Sequence, residues 1–345
     1  MTPSGEERDS VVSFEKLNEI ASGFVKAKIL LTGAQLRVFD HIADGATAEQ
    51  VRERIAGDLR GVEILLDALT AMEIVDKKEG VYRLRAEYVP FLTDEAPGQF
   101  PALLRHRNHM FQSWARLEDR VTGRSSGPPA GERAVLEDSE KNDSFIRAMY
   151  AFGRDMATTV ADRIDLGGVR TLADLAGGPG HYLAEFARRS ERLEPWLVDL
   201  PMTLEVARRL LADSPLRERI RMAAWDVYAD DPPGELPVFD LIFVSQLLHA
   251  ESSDRNRALF RRLFPLVAEG GRVVVNENVV SPDRTAPIEA ALFAVNMLAM
   301  TPAGRTYTEE EIHAWASEAG FVPEASDRID GRTVLLHLRR PKGSS

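Results

Sequence analysis

The chain has no cysteine among its 345 residues, which excludes a disulfide framework, a thiol nucleophile and a thiolate metal site. Long hydrophobic runs are also missing. The longest apolar stretch, Ala290 to Met300, is too short to span a bilayer and contains Asn296. The opening residues, Met1-Thr2-Pro3-Ser4-Gly5-Glu6-Glu7-Arg8-Asp9-Ser10, carry no apolar core and do not read as a secretory signal. A cytoplasmic protein with no membrane partner is the expectation. Positive charge is in deficit, with 43 Lys and Arg against 54 Asp and Glu, a net charge of −11. Such a chain repels polyphosphate backbones, so nucleic acid is not expected as a partner. Low-complexity tracts and internal repeats are absent.

What is present is ordinary globular composition, 44% hydrophobic and 28% charged, in a chain longer than one hydrophobic core usually supports. Two domains follow, with boundaries expected at 1–110, a connecting helical stretch at 111–165, and 166–345. In the first, Phe14, Leu17, Ile20 and Phe24 recur at near-helical spacing. Thr47 and Gln50 match a capping box ahead of a helix, a second helix runs Val62 to Leu69, and Ile74 to Leu84 reads as a hairpin around Glu79-Gly80. Helix, turn, helix, hairpin is a winged-helix pattern. The second helix carries Glu63 and Asp67, and residues 46–88 hold seven Lys/Arg against nine Asp/Glu. A helix meant for a phosphate-lined groove should be basic, so dimer packing explains the wing better than DNA does. Ser125 to Gly131 is a loop by composition, and Phe145, Met149, Ala151 and Met156 suggest a connecting helix beyond it.

From residue 170 strands and helices alternate: strands at Thr171–Ala176, Trp196–Val198, Phe239–Val244 and Arg272–Asn276, helices at Tyr182–Arg189, Thr203–Leu211, Asn256–Val267 and Glu309–Ala319. The alternation predicts a doubly wound α/β sheet, parallel with helices on both faces and ligands at the strands' carboxyl ends. The final strand, Thr333–Leu338, follows Phe321 onward without a helix, through Ile329-Asp330-Gly331, and should be antiparallel.

Asp174-Leu175-Ala176-Gly177-Gly178-Pro179-Gly180 leaves the first of these strands and enters a helix. Glycines there let the backbone approach a ligand closely. A dinucleotide fingerprint needs a third glycine where Leu183 stands, which weakens a nicotinamide-cofactor reading. The next strand ends at Asp199, nineteen residues after Gly180, where a carboxylate can accept hydrogen bonds from two ribose hydroxyls. Asp226, in Ala224-Trp225-Asp226-Val227, ends the third strand and can accept from an adenine amino group. The plainer alternatives make Asp199 a helix cap and Asp226 a turn residue.

The run Asp174…Gly177-Gly178-Pro179-Gly180…Asp199-Leu200-Pro201 resembles the glycine-rich loop and Asp-Leu-Pro signature of the caffeic-acid-type O-methyltransferases and their bacterial secondary-metabolite relatives. The resemblance extends over nearly the whole chain. It implies a Rossmann-like methyltransferase domain behind a winged-helix dimerisation domain, and S-adenosylmethionine as cofactor. Asp174, Gly177, Gly178, Gly180, Asp199, Leu200, Asp226, Val227 and Ser245 are then the expected cofactor-binding residues. It also implies a homodimer and a small-molecule methyl acceptor.

Methyl transfer from a sulfonium to a hydroxyl needs donor and acceptor held in register and a base for the hydroxyl proton. His249 follows the fourth strand and lies where the family's catalytic histidine lies; imidazole, with an intrinsic pKa near 6.5, is neutral at working pH. Glu277 ends the next strand and matches an acid that orients the histidine in the family. Read alone, His249 is equally a capping or core histidine and Glu277 a surface carboxylate. Two departures stand out: Ala250-Glu251 follow His249 where the plant enzymes have Asp-Trp, and Thr306 occupies the place of a second orienting acid. Phe293, Asn296, Met297 and Met300, with Met149, are the expected acceptor pocket, although Met and Phe at helical spacing also build plain cores. His106 and His109 share a helical face, a solvated or pocket-lining pair rather than a metal site, and no metal is expected. Two other functions fit the same cofactor site: C-methylation beside the carbonyl of a 2-oxo acid, and a binding protein that has lost the transfer.

Overall fold

The computed structural model describes residues 5–94, 100–124 and 138–343. The Ser125–Gly131 loop lies outside the described residues. The chain divides into two compact units, Met1–His109 and Met110–Ser345.

The first unit runs α1 (Gly5–Ser22), α2 (Phe24–Gln35), α3 (Val38–Ile42), β1 (Ala46–Thr47), α4 (Ala48–Ile55), α5 (Leu59–Ala71), β2 (Val75–Lys78), β3 (Val81–Leu84), α6 (Val89–Leu92) and the start of α7 (Phe100–Trp114). The capping box forms: the Thr47 hydroxyl accepts from Gln50 N, and Gln50 Oε1 accepts from Thr47 N. Asp58 caps α5 by accepting from Gly61 N. Val62, Leu66 and Leu69 then present one buried stripe of α5 to a core that includes Phe39, Ile42, Val51 and Leu84. Gly33 lets α2 lie close against Phe39, whose ring would stand 2.9 Å from an added Cβ. β2 and β3 form the hairpin, and the two-residue β1 joins β3 as a third strand. Only tertiary pairing creates that strand, since two residues carry no periodicity to read.

The second unit continues with α8 (Leu117–Val121), α9 (Ser139–Arg163), β4 (Thr171–Leu175), α10 (His181–Arg189), β5 (Glu194–Asp199), α11 (Pro201–Leu210), β6 (Arg221–Ala224), β7 (Phe239–Ser245), α12 (Ser253–Leu263), β8 (Val267–Asn278), α13 (Ile288–Met300), α14 (Glu309–Glu318), β9 (Val322–Pro323), β10 (Asp327–Arg328) and β11 (Thr333–Arg339). The strand order is β6-β5-β4-β7-β8-β11-β10, parallel from β6 to β8, with β11 antiparallel to β8. Both faces are covered, which is why the central strands are apolar at nearly every position. Ala173, Ile242, Val244, Val273 and Val275 face one core. Leu172, Leu241, Phe243 and Val274, their alternating neighbours, face the other. Chain order reverses beside β4, with β5 leading away on one side and β7 on the other, so the crevice at its carboxyl end is the ligand position such sheets offer.

Several boundaries differ from the sequence reading. The helix expected to reach Val267 ends at Leu263, because Pro265 cannot continue it; a 3₁₀ turn follows and Val267 begins β8. The third strand ends at Ala224, two residues before Asp226.

Candidate active site

The loop after β4 brings its residues together through Asp199. Oδ2 of Asp199 accepts from Gly178 N at 2.8 Å and Oδ1 accepts from Leu200 N at 2.7 Å. One carboxylate thus ties the glycine loop to the entrance of α11. Leu200 is the extended N-cap and Pro201 takes the first helical position, where a missing N–H costs nothing, so Asp-Leu-Pro is a local instruction to turn. Asp199 itself is not the cap.

The glycines divide by role. A Cβ on Gly177 would stand 2.6 Å from Cγ of Asp174 and from Cδ1 of Leu197, so glycine is required for packing. Gly178 has φ +54 and an added Cβ would meet nothing within 4 Å. Its open side is where backbone can approach a ligand.

Asp174 is fully buried, and neither carboxylate oxygen has a hydrogen-bond partner among the described residues. Burial, then the negative charge of Asp199, raise it to about 8, opposed to a lesser extent by the Leu183 N–H. Asp199 is raised to about 6 by burial, against the bonds from Gly178 and Leu200. Two buried carboxylates, one of them orphaned, form a site short of donors and positive charge. A ligand carrying hydroxyls and a cationic group fits that deficit. Near by, Nδ2 of Asn276 donates to Ser245 Oγ at 2.9 Å while its buried Oδ1 has no donor among the described residues. Asn276 and Tyr182, whose hydroxyl lies 3.5 Å from the same Nδ2, were not singled out by sequence.

Oδ1 of Asp226 accepts from Tyr228 N and Ala229 N at 3.1 and 3.2 Å, which holds the turn after β6. Val227 is buried in the core, and its carbonyl accepts from Arg262.

His249 sits on the 3₁₀ turn Leu248–Ala250 after β7 and is buried. Its Nδ1 stands 2.8 Å from Oε1 of Glu277. Glu277 is no surface carboxylate. It is fully buried near the end of β8, where Oε1 also accepts from Asn278 N and Oε2 accepts from Leu248 N. The Phe293 ring meets the imidazole edge-on, with centroids 4.8 Å apart. From the same helix, Asn296 Oδ1 accepts from Trp114 Nε1 at 2.9 Å, while Met297 and Met300 are buried. Met149 lies partly buried on α9. Thr306, where the resemblance implies a second acid, is buried and donates its hydroxyl to Ala290 O at 2.9 Å, so its side chain is spent on the backbone of α13. The polar run Asn276-Glu277-Asn278 at the end of an apolar strand was the signal for Asn278, whose Nδ2 donates to Gln246 Oε1 at 2.7 Å. Among the described residues no cluster of three or more metal-type ligands forms, and no helix is long and apolar enough to cross a membrane.

A doubly wound sheet with this loop at its switch point, followed by an antiparallel last strand, is the architecture of an S-adenosylmethionine-dependent methyltransferase. The chain belongs to the O-methyltransferase family: residues 119–322 match the family's O-methyltransferase domain and residues 18–87 its dimerisation domain. It is 30% identical to 3-hydroxy-5-methyl-1-naphthoate 3-O-methyltransferase of Streptomyces sahachiroi over 88% of each chain. It is 26% identical to the tetracenomycin polyketide synthesis 8-O-methyl transferase TcmO of Streptomyces glaucescens, over 94% of this chain and 96% of that one. An O-methyltransferase family protein from Burkholderia thailandensis superposes with a TM-score of 0.82 at 25% identity, covering 96% of this chain and 99% of its own.

Proposed function

We propose that this methyltransferase alkylates a hydroxyl of a small aromatic or polyketide-like metabolite, with His249 as general base. The observation that carries the reading is the buried His249–Glu277 pair beside Phe293. S-adenosylmethionine, when bound, supplies an electrophilic methyl group. Asp199 would hold its ribose hydroxyls and Asp174 its cationic end, with Gly178 giving the close backbone approach.

The remaining chemistry belongs to the chain. Glu277 is acceptor-only when ionised, so it selects the tautomer with the proton on Nδ1 and leaves Nε2 as the basic nitrogen. As the acceptor hydroxyl gives its proton to Nε2, the carboxylate 2.8 Å from Nδ1 stabilises the imidazolium that forms. Burial of both groups strengthens that interaction. Phe293, Met297 and Met300 would offer an apolar face to a planar ring, and the hydroxynaphthoate and tetracenomycin enzymes named above act on acceptors of that kind. The match to a dimerisation domain supports a homodimer.

Release of S-adenosylhomocysteine should be followed across phenols, hydroxynaphthoates, polyketide quinones and 2-oxo acids. Turnover of a hydroxyaromatic that falls by ~10²-fold or more in His249→Ala, with cofactor affinity unchanged, is expected. Turnover of 2-oxo acids alone would replace the reading with C-methylation.

A further inference from the structure

The turn that carries His249 is anchored from outside the His249–Glu277 pair. Asn256 of α12 is fully buried, and both ends of its carboxamide are engaged. Nδ2 donates to Leu248 O at 2.9 Å, and Oδ1 lies 2.7 Å from the hydroxyl of Tyr228. A carbonyl only accepts, so Leu248 O fixes which end of the amide faces it; the oxygen must then face Tyr228, whose hydroxyl must donate. On the other side of the same peptide segment, Leu248 N donates to Glu277 Oε2 at 3.0 Å. Tyr228 is in turn held at its base, because Asp226 accepts from its N–H. The Arg255 guanidinium lies over its ring at 5.3 Å.

We infer that Tyr228 and Asn256 are positioning residues that couple the Asp226–Tyr228 segment, expected beside the cofactor's adenine, to the placement of His249 against Glu277. The inference rests on the reading of His249 as base and of Asp226-Val227 as cofactor contacts. Its physical content is a run of hydrogen bonds joined through the Tyr228 side chain and the Leu248 backbone: Asp226 to Tyr228 N, Tyr228 hydroxyl to Asn256, Asn256 to Leu248 O, Leu248 N to Glu277, Glu277 to His249. Every interior member is a donor–acceptor pair, and removing one leaves a polar group unsatisfied in a buried place. Displacement of the loop after β6 therefore reaches the base through two side chains, Tyr228 and Asn256, that touch neither reacting atom.

The test uses the full-length protein and two variants, Tyr228→Phe and Asn256→Leu, with their combination. Tyr228→Phe removes one oxygen and keeps the ring, so it folds even if Asn256→Leu does not. The first readout is the hydrogen-bonded Nδ1 proton of His249, seen by NMR and assigned by its loss in His249→Gln. Its exchange with water should speed up roughly five- to tenfold in Tyr228→Phe, the equivalent of one hydrogen bond of ordinary net strength. Addition of S-adenosylhomocysteine should slow exchange in the wild type and do so much less in Tyr228→Phe. The second readout is turnover of whichever hydroxyaromatic the acceptor screen yields. Where all variants fold, the double variant should be no slower than the worse single one, because both cut the same connection. Wild-type exchange and turnover in Tyr228→Phe, or single losses that multiply, would overturn the coupling. Loss of turnover in His249→Ala together with wild-type behaviour of Tyr228→Phe would overturn the coupling alone. Full activity of His249→Ala would overturn the base assignment and the coupling with it.

Discussion

Trp114 and Asn296 are 182 residues apart in sequence, and the indole Nε1 of the first donates to the carboxamide oxygen of the second at 2.9 Å. Tryptophan donates and cannot accept, so the bond fixes the amide with Oδ1 toward the indole and Nδ2 away from it. Asn296 therefore offers its donor end, one turn along α13 from Phe293. Trp114→Phe keeps an aromatic ring, though a smaller one, removes the N–H and frees the amide to turn. The expected result is a rise of about three- to tenfold in KM for the acceptor, the cost of one ordinary hydrogen bond, with S-adenosylmethionine affinity unchanged by calorimetry. Equal KM values would show that Asn296 is plain packing.

Glu277 accepts from three donors, Leu248 N, Asn278 N and His249 Nδ1. Glu277→Gln would aim an NH₂ at one or more of them. The variant should lose about 1–3 kcal/mol of stability from the mismatched buried donor, measured by denaturant unfolding, and should also lower turnover. The three-donor environment is what makes Gln a costly replacement there.

Asp174 gives a pH dependence of definite sign. Its folded value is raised to about 8, above the ordinary carboxylate value, so the folded state holds the proton more tightly than the unfolded chain. Its contribution to stability is present at low pH and is lost as pH rises toward and through about 8. His181, lowered to about 3 by burial, acts oppositely, losing stability only as pH falls below the ordinary histidine value. Between pH ~6.5 and ~8.5 the Asp174 effect stands alone of the two. The ligand-free protein should melt at progressively lower temperature across that interval, and Asp174→Asn should flatten the decline. A parallel decline in both proteins, followed by calorimetry, would contradict the assignment of the orphaned carboxylate.

Phe14, Leu17 and Ile20 of α1, with Phe24 at the start of α2, are 56–71% exposed along one helical face. An apolar stripe of that kind, leading into the matched dimerisation domain at residues 18–87, is expected to be covered by a second copy. Leu17→Glu with Ile20→Glu should convert a dimer to a monomer in light scattering at micromolar concentration. A wild-type monomer under the same conditions would remove the stripe as an interface.

Much of this protein was legible before any coordinates. The capping box at Thr47 and Gln50, the Asp-Leu-Pro turn and the apolar strands β4, β7 and β8 are local or periodic features, written by the chemistry of neighbouring residues. That β11 runs antiparallel to β9 and β10 followed from the absence of a helix between them; its antiparallel pairing with β8, across two intervening helices, did not. His249 and Glu277 stood out because the first follows an apolar strand and the second lies near the end of the next, at carboxyl ends that a parallel sheet brings together. Their hydrogen bond, and the three donors around Glu277, depended on the register of β7 against β8. Thr306 against Ala290, Asn256 between Tyr228 and Leu248, and Trp114 against Asn296 were decided by tertiary structure alone. A side-chain hydrogen bond needs donor and acceptor within about 3 Å, and along a chain that distance carries no periodic trace. Hydrophobic pattern therefore determined which elements form and which face each buries, while the long-range partners of the buried polar groups were chosen only when those faces closed.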